Sequence, residues 1–292
     1  MTKEESMKKS SYLLIGIVLG ILMGGIVGYL SFESVQSPFK EKIGVIYVKG
    51  IIIAGRGDGG GYVGSEDIID QINRALDDNS IKAIVLRINS PGGTPAGAQE
   101  IVGKIKSAKK EKPIVVSMGD LAASAAYYIS APSDYIFAEP DTITGSIGVI
   151  SKFVDKSKKY EKDGVDITVV KSGEFKDMGA DWRALSEEEH EYAEKIVKDA
   201  CERFIKDISD DRGIPLDDVR ELSDGRIYRG EEAKELGLVD GMGNMEDAIK
   251  KAGELGGIEG KPGIKYMNPP IPRTTIEVIP HEKLMAVMNS YT

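Results

Sequence analysis

The sequence predicts an α/β fold in which helices pack on a mainly parallel sheet. Short apolar, β-branched runs alternate along the chain with segments of helical composition. Strands of a parallel sheet have this composition because helices cover both of their faces. The runs that we predict to be strands are residues 43–48, 83–88, 113–116, 135–138 and 167–170.

End signals and apolar periodicity predict the helices. Ser186 with Glu187, Glu188 and Glu189 is a capping box, which opens a long helix that ends at about Asp211. The other predicted helices cover residues 65–76, 96–109, 122–129, 216–222, 231–236 and 244–255. Glycine and proline dominate residues 256–292, which we predict to be a C-terminal tail or an oligomer arm.

The N-terminal part of the chain predicts a membrane anchor. Residues 12–32 carry no charge over 21 positions, enough to span a hydrocarbon core of about 30 Å. Lys8 and Lys9 precede this run, so residues 1–11 are predicted to be cytoplasmic and the rest of the chain extracytoplasmic. A cleaved signal peptide is the alternative, but no Ala-x-Ala-like site follows. Residues 33–42 form a tether to a soluble domain at 43–255.

Composition narrows the classes of partner and cofactor. The net charge is −9, and no block of Lys and Arg lies outside the N-terminus, so we expect no nucleic-acid partner. The single cysteine, Cys201, excludes an intrachain disulfide and a cysteine-rich zinc site. It lies in a charged helical run and is predicted to be a packing residue. We expect neither a metal nor a cofactor.

The stretch from Ser117 to Tyr128 contains a candidate nucleophile. We predict that Gly119-Asp120 ends the preceding strand and that a helix begins at Ala122. Ser124 then lies near the first helical turn, where backbone N–H groups lack intrahelical partners and can stabilise an oxyanion. The alternative is a tightly packed Ala/Ser helix in which this serine is present because it is small.

A nucleophilic serine requires a general base. His190 lies on an acidic helix face and His281 in the predicted tail, so a Ser-His-Asp triad is a weak interpretation. A lysine acts as a base only in an environment that lowers its pKa. Lys176 is the candidate, because it follows a predicted strand and has apolar neighbours. Asp177 would keep its amine protonated if the carboxylate pointed at it. The alternative is an ordinary loop lysine.

Two further segments offer groups for the same chemistry. Gly92-Gly93 follows a predicted strand, and its backbone N–H groups could face a bound carbonyl. A plain Pro-Gly turn is the alternative. Ser146 could hold a neutral lysine through a hydrogen bond, or it could be an ordinary turn serine.

Taken together, these segments resemble the signal peptide peptidase A family, in its short form. That family consists of serine proteases with the Clp-protease/crotonase fold of repeated ββα units. The resemblance extends over residues 43–255. The stretches that match are residues 86–93, 117–124, 144–148, 171–177 and 224–240.

The resemblance implies a role for each candidate residue. Ser124 would be the nucleophile and Lys176 the general base of a Ser–Lys dyad. The N–H groups of Gly93 and Ala125 would form the oxyanion hole, and Ser146 would orient the lysine. This chain has Ala125-Ala126 where the family usually has two glycines, and the added methyl groups could narrow the cleft.

The function that the resemblance implies is a membrane-anchored serine endopeptidase. Its expected substrates are remnant signal peptides and other hydrophobic peptides, and its short form would complete its active sites as a homo-oligomer. Three alternatives remain at this point. They are a stomatin-linked membrane protease of the same fold, a crotonase-like acyl-CoA enzyme and a non-catalytic membrane scaffold.

Overall fold

The computed structural model describes residues 20, 21, 23, 41–58 and 60–268. The predicted cytoplasmic segment, residues 12–32 of the predicted anchor except those three positions, and residues 33–40 of the tether lie outside this description, as do residues 269–292. Within the described part of the chain, no helix combines the length and hydropathy needed to span a membrane.

Eight strands form one mainly parallel sheet, and two more form a small parallel sheet beside it. The strands are β1 (Lys42–Lys49), β2 (Ile51–Ile53), β3 (Tyr62–Gly64), β4 (Ile81–Ser90), β5 (Ile114–Ala123), β6 (Tyr135–Ala138), β7 (Ile143–Gly145), β8 (Ile227–Arg229), β9 (Gly241–Met242) and β10 (Gly263–Tyr266). The main order is β10-β1-β4-β5-β6-β9. Strand β7 pairs in parallel with the end of β5 and antiparallel with β8.

Helices cover both faces of the main sheet. They are α1 (Ser65–Asp77), α2 (Pro95–Ala108), α3 (Ala125–Ser130), α4 (Ser157–Lys162), α5 (Glu187–Arg212), α6 (Leu216–Glu221), α7 (Gly230–Glu235) and α8 (Met245–Leu255), with one 3₁₀ helix at Glu174–Asp177. The predicted capping box of α5 is confirmed: Ser186 Oγ accepts from Glu189 N–H, and the Glu189 carboxylate accepts from Ser186 N–H.

The strand sequences explain this two-sided core. In β4, Ile84, Leu86 and Ile88 pack with helices α1 to α3 on one face. Ala83 and Val85 alternate with them and pack against α8 on the other face. Each fully buried Ile, Leu or Val contributes about 1.5–3 kcal/mol relative to an exposed one, so the centre of this sheet is a rigid platform.

The predicted strand break at Gly119-Asp120 is wrong. Strand β5 continues to Ala123, and its register against β4 shifts at this point. Asn89 of the neighbouring strand stabilises the irregularity: its Oδ1 accepts from Leu121 N–H at 3.1 Å. The helix therefore begins at Ala125 and not at Ala122. A bulge of this kind depends on a cross-strand partner that local sequence does not show.

Two other predictions differ from the structure. Residues 167–170 form no strand; they are exposed, and Val170 is 96% exposed. A β-branched run becomes a strand only where a neighbouring strand is available to pair with it. The predicted tail also begins too early, because β10 at residues 263–266 pairs in parallel with β1.

Candidate active site

Ser124 has a rare backbone conformation. It precedes α3 with φ 54° and ψ −124°. Among the described non-glycine residues, only Ser124 and Ser146, with φ 49°, have positive φ. Such conformations cost of order 1–3 kcal/mol and persist only where the surrounding structure enforces them. Both strained serines are sequence-predicted site residues, which makes this region the candidate active site.

Hydrogen bonds on both sides hold the Ser124 backbone. Its N–H donates to the Gly145 carbonyl at 2.8 Å, and its own carbonyl accepts from Tyr128 N–H at 2.9 Å. Thr144 Oγ1 donates to the Ala122 carbonyl at 2.7 Å and so fastens β7 to β5. The pairing of β5 with β7 thus ends at the serine, and the first turn of α3 begins there.

The glycine pair lies directly against this serine. Gly92 has φ 109°, and a Cβ on it would lie 2.9 Å from both Ala125 N and Ser124 Cβ. A Cβ on Gly93 would lie 1.9 Å from the Ile52 carbonyl oxygen. Only glycine allows this approach of three backbone segments. In the described part of the chain, neither Gly93 N–H nor Ala125 N–H donates a hydrogen bond, so both are available to an oxyanion.

A cleft of about 530 Å³ contains four of the five predicted site residues: Ser124, Gly93, Ala125 and Ser146. Its wall includes one face of α5, with Val197, Cys201 and Phe204. Sequence reasoning did not assign these residues to the site, although their i, i+4, i+7 spacing marks a single helix face. Other residues of the cleft are Pro91, Pro95, Gln99, Tyr128, Gly148, Val149, Ile150, Lys198, Ala200, Ser223, Asp224 and Gly225.

Cys201 is part of this wall, so its predicted packing role was incomplete. Its side chain is partly buried. Burial, with the nearby Glu202, raises the pKa of the thiol above its ordinary value. A protonated thiol is a poor nucleophile. Ser124 therefore remains the candidate nucleophile of this cleft.

Lys176 lies outside the cleft within the single chain. It is in the 3₁₀ helix, its side chain is exposed, and it does not line the pocket of Ser124. The preceding strand that was expected to position it is absent. His190 is exposed on α5, and His281 lies outside the described residues. One chain thus brings together the serine, both N–H donors and Ser146, but not the predicted base.

Four charged side chains form a cluster at the 3₁₀ helix: Lys171, Asp177, Arg183 and Glu189. Asp177 accepts from Lys171 Nζ at 2.7 Å and from the Arg183 guanidinium at 2.7 and 3.1 Å. Arg183 also donates to both oxygens of Glu189 at 2.6 and 2.7 Å. These bonds hold the pKa of Asp177 well below its usual range and lower the pKa of Glu189 to about 2. The Asp177 carboxylate is therefore engaged by Lys171 and Arg183.

Comparison with known families agrees with this geometry. The family model described as peptidase family S49 matches residues 106–259, more than half of the chain. The chain belongs to peptidase family S49. The matched region of this S49 chain contains Ser124, Ser146 and Lys176, and it begins after Gly93. The predicted resemblance to signal peptide peptidase A is confirmed at the level of the family.

Named relatives and one solved structure extend the comparison. A candidate signal peptide peptidase SppA of Enterococcus faecium is 44% identical over 144 residues, which are 49% of this chain and 42% of that protein. Protease 4 of Haemophilus influenzae is 35% identical over 216 residues, 74% of this chain and 35% of its own length. The chain spans about half the length of the curated relatives it matches.

The solved structure of a membrane-bound stomatin-specific protease is similar in fold. It has a TM-score of 0.50 and 18% sequence identity, over 79% of this chain and 99% of that one. At this identity the likeness concerns the fold alone. It agrees with a mixed α/β architecture built on a mainly parallel sheet.

Proposed function

We propose that this S49 chain is a serine endopeptidase of the Clp-protease/crotonase fold class, with Ser124 as nucleophile and Lys176 as general base. The observation that carries the proposal is the strained Ser124, which shares a cleft with the N–H groups of Gly93 and Ala125, both unpaired among the described residues. Peptide hydrolysis needs this combination, because the attacking hydroxyl and the N–H groups that stabilise the oxyanion must reach the same peptide carbonyl.

The reaction proceeds by acyl transfer. The neutral amine of Lys176 takes the Ser124 proton as Oγ attacks the peptide carbonyl. Gly93 and Ala125 N–H groups stabilise the oxyanion, and the protonated amine then gives its proton to the leaving amine. Water attacks the acyl-enzyme in a second cycle with the same base. Ser146, in the same cleft, accepts or donates a hydrogen bond that orients the lysine.

We infer that a second copy of the chain places Lys176 in the cleft. In one chain the lysine is outside it, and the intervening segment is unusually exposed: between residues 150 and 176, no residue is buried. Several large apolar side chains there and on α5 are exposed, which is typical of an interaction surface. They are Ile150, Phe153, Val154, Val165, Ile167, Val169, Val170, Phe175, Tyr192 and Ile196. The occupant of this surface is another protomer, so the active protein is a homo-oligomer.

The proposed location is the cell membrane, with residues 12–32 as a single anchor and the catalytic domain extracytoplasmic. The proposed substrates are remnant signal peptides and other hydrophobic segments; the apolar α5 face of the cleft and the name of the Enterococcus relative support them. A reporter fused after Lys40 tests the orientation. A reporter enzyme that is active only after export is expected to be active in this fusion. Activity of a reporter that works only in the cytoplasm would contradict this topology.

Hydrolysis of a hydrophobic peptide by purified variants tests the dyad. Ser124→Ala and Lys176→Ala are each expected to abolish cleavage, and the double variant to be no worse than either. Lys176→Arg is expected to be equally inactive, because a guanidinium does not deprotonate in this range. In the wild type, the rate rises with pH, since only the neutral amine accepts the proton.

The matched control is Lys152→Arg, at another exposed lysine of the same segment, which should retain full activity. Thermal unfolding and light scattering should show that all these variants fold and assemble. Substantial activity in Lys176→Arg would overturn the Ser–Lys assignment. Turnover of an acyl-CoA thioester in place of peptides would favour a crotonase-like enzyme.

A further inference from the structure

The segment that carries Lys176 is poorly fixed by its own structure. It is a single 3₁₀ turn, closed by backbone bonds from Lys176 N–H to Gly173 at 3.2 Å and from Met178 N–H to Phe175 at 3.1 Å. Isolated turns of this length are unstable in water. A catalytic base must nevertheless be held in one place. Something outside the turn therefore has to position it.

Arg183 makes the connection. Its Nε and one terminal nitrogen donate to Asp177, inside the 3₁₀ turn, and its two terminal nitrogens donate to Glu189, in the first turn of α5. Glu189 is only 2% exposed and also accepts from Ser186 N–H at 2.9 Å. A planar guanidinium can bridge two carboxylates in this way, whereas a lysine ammonium cannot match both geometries.

We propose that Arg183 is a positioning residue for the base: it ties the turn of Lys176 to the capped start of α5 and keeps the Asp177 carboxylate engaged away from the amine. The proposal rests on the proposed function, in which Lys176 takes the Ser124 proton. Arg183 acts through Lys176 and need not touch the substrate.

The charges of this cluster balance. Lys171 and Arg183 are cations, and Asp177 and Glu189 are anions, so the cluster is neutral as a whole. Other charged groups of these two elements are Glu174, within the turn, and Glu188, in the first turn of α5. Glu188 is one turn before Tyr192, whose ring packs against Phe175 with a centroid distance of 5.6 Å. These two glutamates are the same in every variant below, so they do not contribute to the differences.

The test is the pH dependence of kcat/KM for peptide hydrolysis by the assembled full-length protein. Arg183→Met leaves one uncompensated negative charge beside the base, which favours the protonated amine. We expect the rising limb of this pH profile to move to higher pH by about half to one unit. At pH values on that limb, kcat should fall about threefold to tenfold while KM stays unchanged. Activity should recover at high pH.

A second substitution gives the sharper result. In Arg183→Met with Asp177→Asn the cluster is neutral again, so the limb should return towards its wild-type position. Asp177→Asn alone leaves one extra positive charge and should move the limb to lower pH. The matched control is Arg56→Met, at another arginine that bridges carboxylates, those of Asp67 and Asp70, away from the cleft. It should leave the limb in place.

Opposite shifts of the two single variants, and their cancellation in the double variant, would support the proposal. Activity that falls equally at all pH values and is not restored in the double variant would overturn it, because a merely structural role predicts that pattern. An unchanged profile in Arg183→Met would overturn it as well. Should Arg183→Met fail to fold, the downward shift of Asp177→Asn decides alone. Failure of the dyad itself is separate: it would appear as activity in Lys176→Arg.

Discussion

The two halves of the candidate active site are built in different ways. Ser124 follows a strand and precedes a helix that are almost completely buried; between residues 114 and 130 only Asp120, Leu121 and Ser124 itself are not. Lys176 lies in a segment, residues 150–188, in which no residue is buried. The proposed nucleophile is thus fixed by the core, whereas the proposed base lies beside the cluster of charged side chains that Arg183 joins.

This difference shows which part of the chemistry a single chain can prepare. Backbone strain at Ser124 persists because the pairing of β5 with β7 and the buried helix α3 enforce it. Among the described residues, no buried strand or helix gives Lys176 such support. In our proposals its position depends on Arg183 and on a neighbouring protomer. Substitutions that displace the backbone around Ser124 should therefore damage folding and catalysis together. Substitution of Lys176 itself should damage catalysis alone.

The largest effect is expected at Gly93, whose N–H group is proposed to stabilise the oxyanion. A Cβ in Gly93→Ala would overlap the Ile52 carbonyl, so the loop must move and its N–H group with it. We expect kcat to fall by about a hundredfold or more and the free energy of unfolding by more than about 2 kcal/mol. Peptide hydrolysis and denaturant unfolding measure these effects.

Gly103→Ala is the matched control for that variant. Gly103 is an exposed glycine within α2, and no heavy atom lies within 4 Å of the place that an added methyl group would take. The substitution should stabilise the helix by up to about 1 kcal/mol and leave activity unchanged. Wild-type activity in Gly93→Ala would show that this N–H group does not serve an oxyanion.

A smaller effect is expected at Ser146. Ser146→Ala keeps the backbone turn but removes the hydroxyl that would orient the lysine, so kcat should fall by about tenfold to a hundredfold. Ser223→Ala is the control, because that cleft serine already donates to the Val219 carbonyl at 2.6 Å. Equal activity in both variants would mean that Ser146 is an ordinary turn serine and does not orient the lysine.

Stability at acid pH tests the charged cluster of Lys171, Asp177, Arg183 and Glu189 directly. The pKa of Glu189 is lowered to about 2 by Arg183, from an ordinary value of 4.5. A carboxylate whose pKa is lower in the folded state stabilises the fold at pH values above its pKa in the unfolded chain. This contribution disappears as pH falls from about 4.5 towards 2. Glu189→Gln should therefore unfold at a lower temperature than wild type at pH 7, with the difference narrowing below pH 4.5.

Thermal unfolding between pH 2 and pH 7 measures that difference, with Glu191→Gln on the exposed face of α5 as control. A gap that stays constant across this range would mean that the Arg183 pair does not control the ionisation of Glu189.

The smallest effects are expected at the other two candidate nucleophile or base positions. Cys201→Ala and His190→Ala should each keep activity within about twofold of wild type, since the thiol is protonated and the imidazole is exposed. Rate measurements on the same hydrophobic peptide are sufficient. Loss of activity in His190→Ala would favour a histidine base over Lys176.

Much of the nucleophile half could be predicted from sequence. The apolar runs gave β1, β4 and β6, and the capping box gave the start of α5. The positions of Ser124, Gly93, Ala125 and Ser146 in one cleft agree with the motifs, because each lies next to a buried strand or its turn. These features depend on residues close in sequence, which is why local patterns predict them.

The errors concern contacts between distant residues. The bulge at Gly119 depends on Asn89 in the next strand, and the run at residues 167–170 has no strand to pair with inside the described part of the chain. Strand β10 forms only because β1 offers a free edge. The bridge made by Arg183 likewise joins residues six positions away on either side, which no single motif displays.

The central claim is that the serine and the lysine of one active site come from different protomers. Ser124→Ala and Lys176→Ala variants, each inactive, are to be dissociated, mixed in equal amounts and reassembled. With shared sites, random assembly gives each site both native residues with a probability of about one quarter, so about a quarter of wild-type activity should return. Reassembled single variants are the controls. Complete inactivity of a mixture that light scattering shows to be co-assembled would contradict the account.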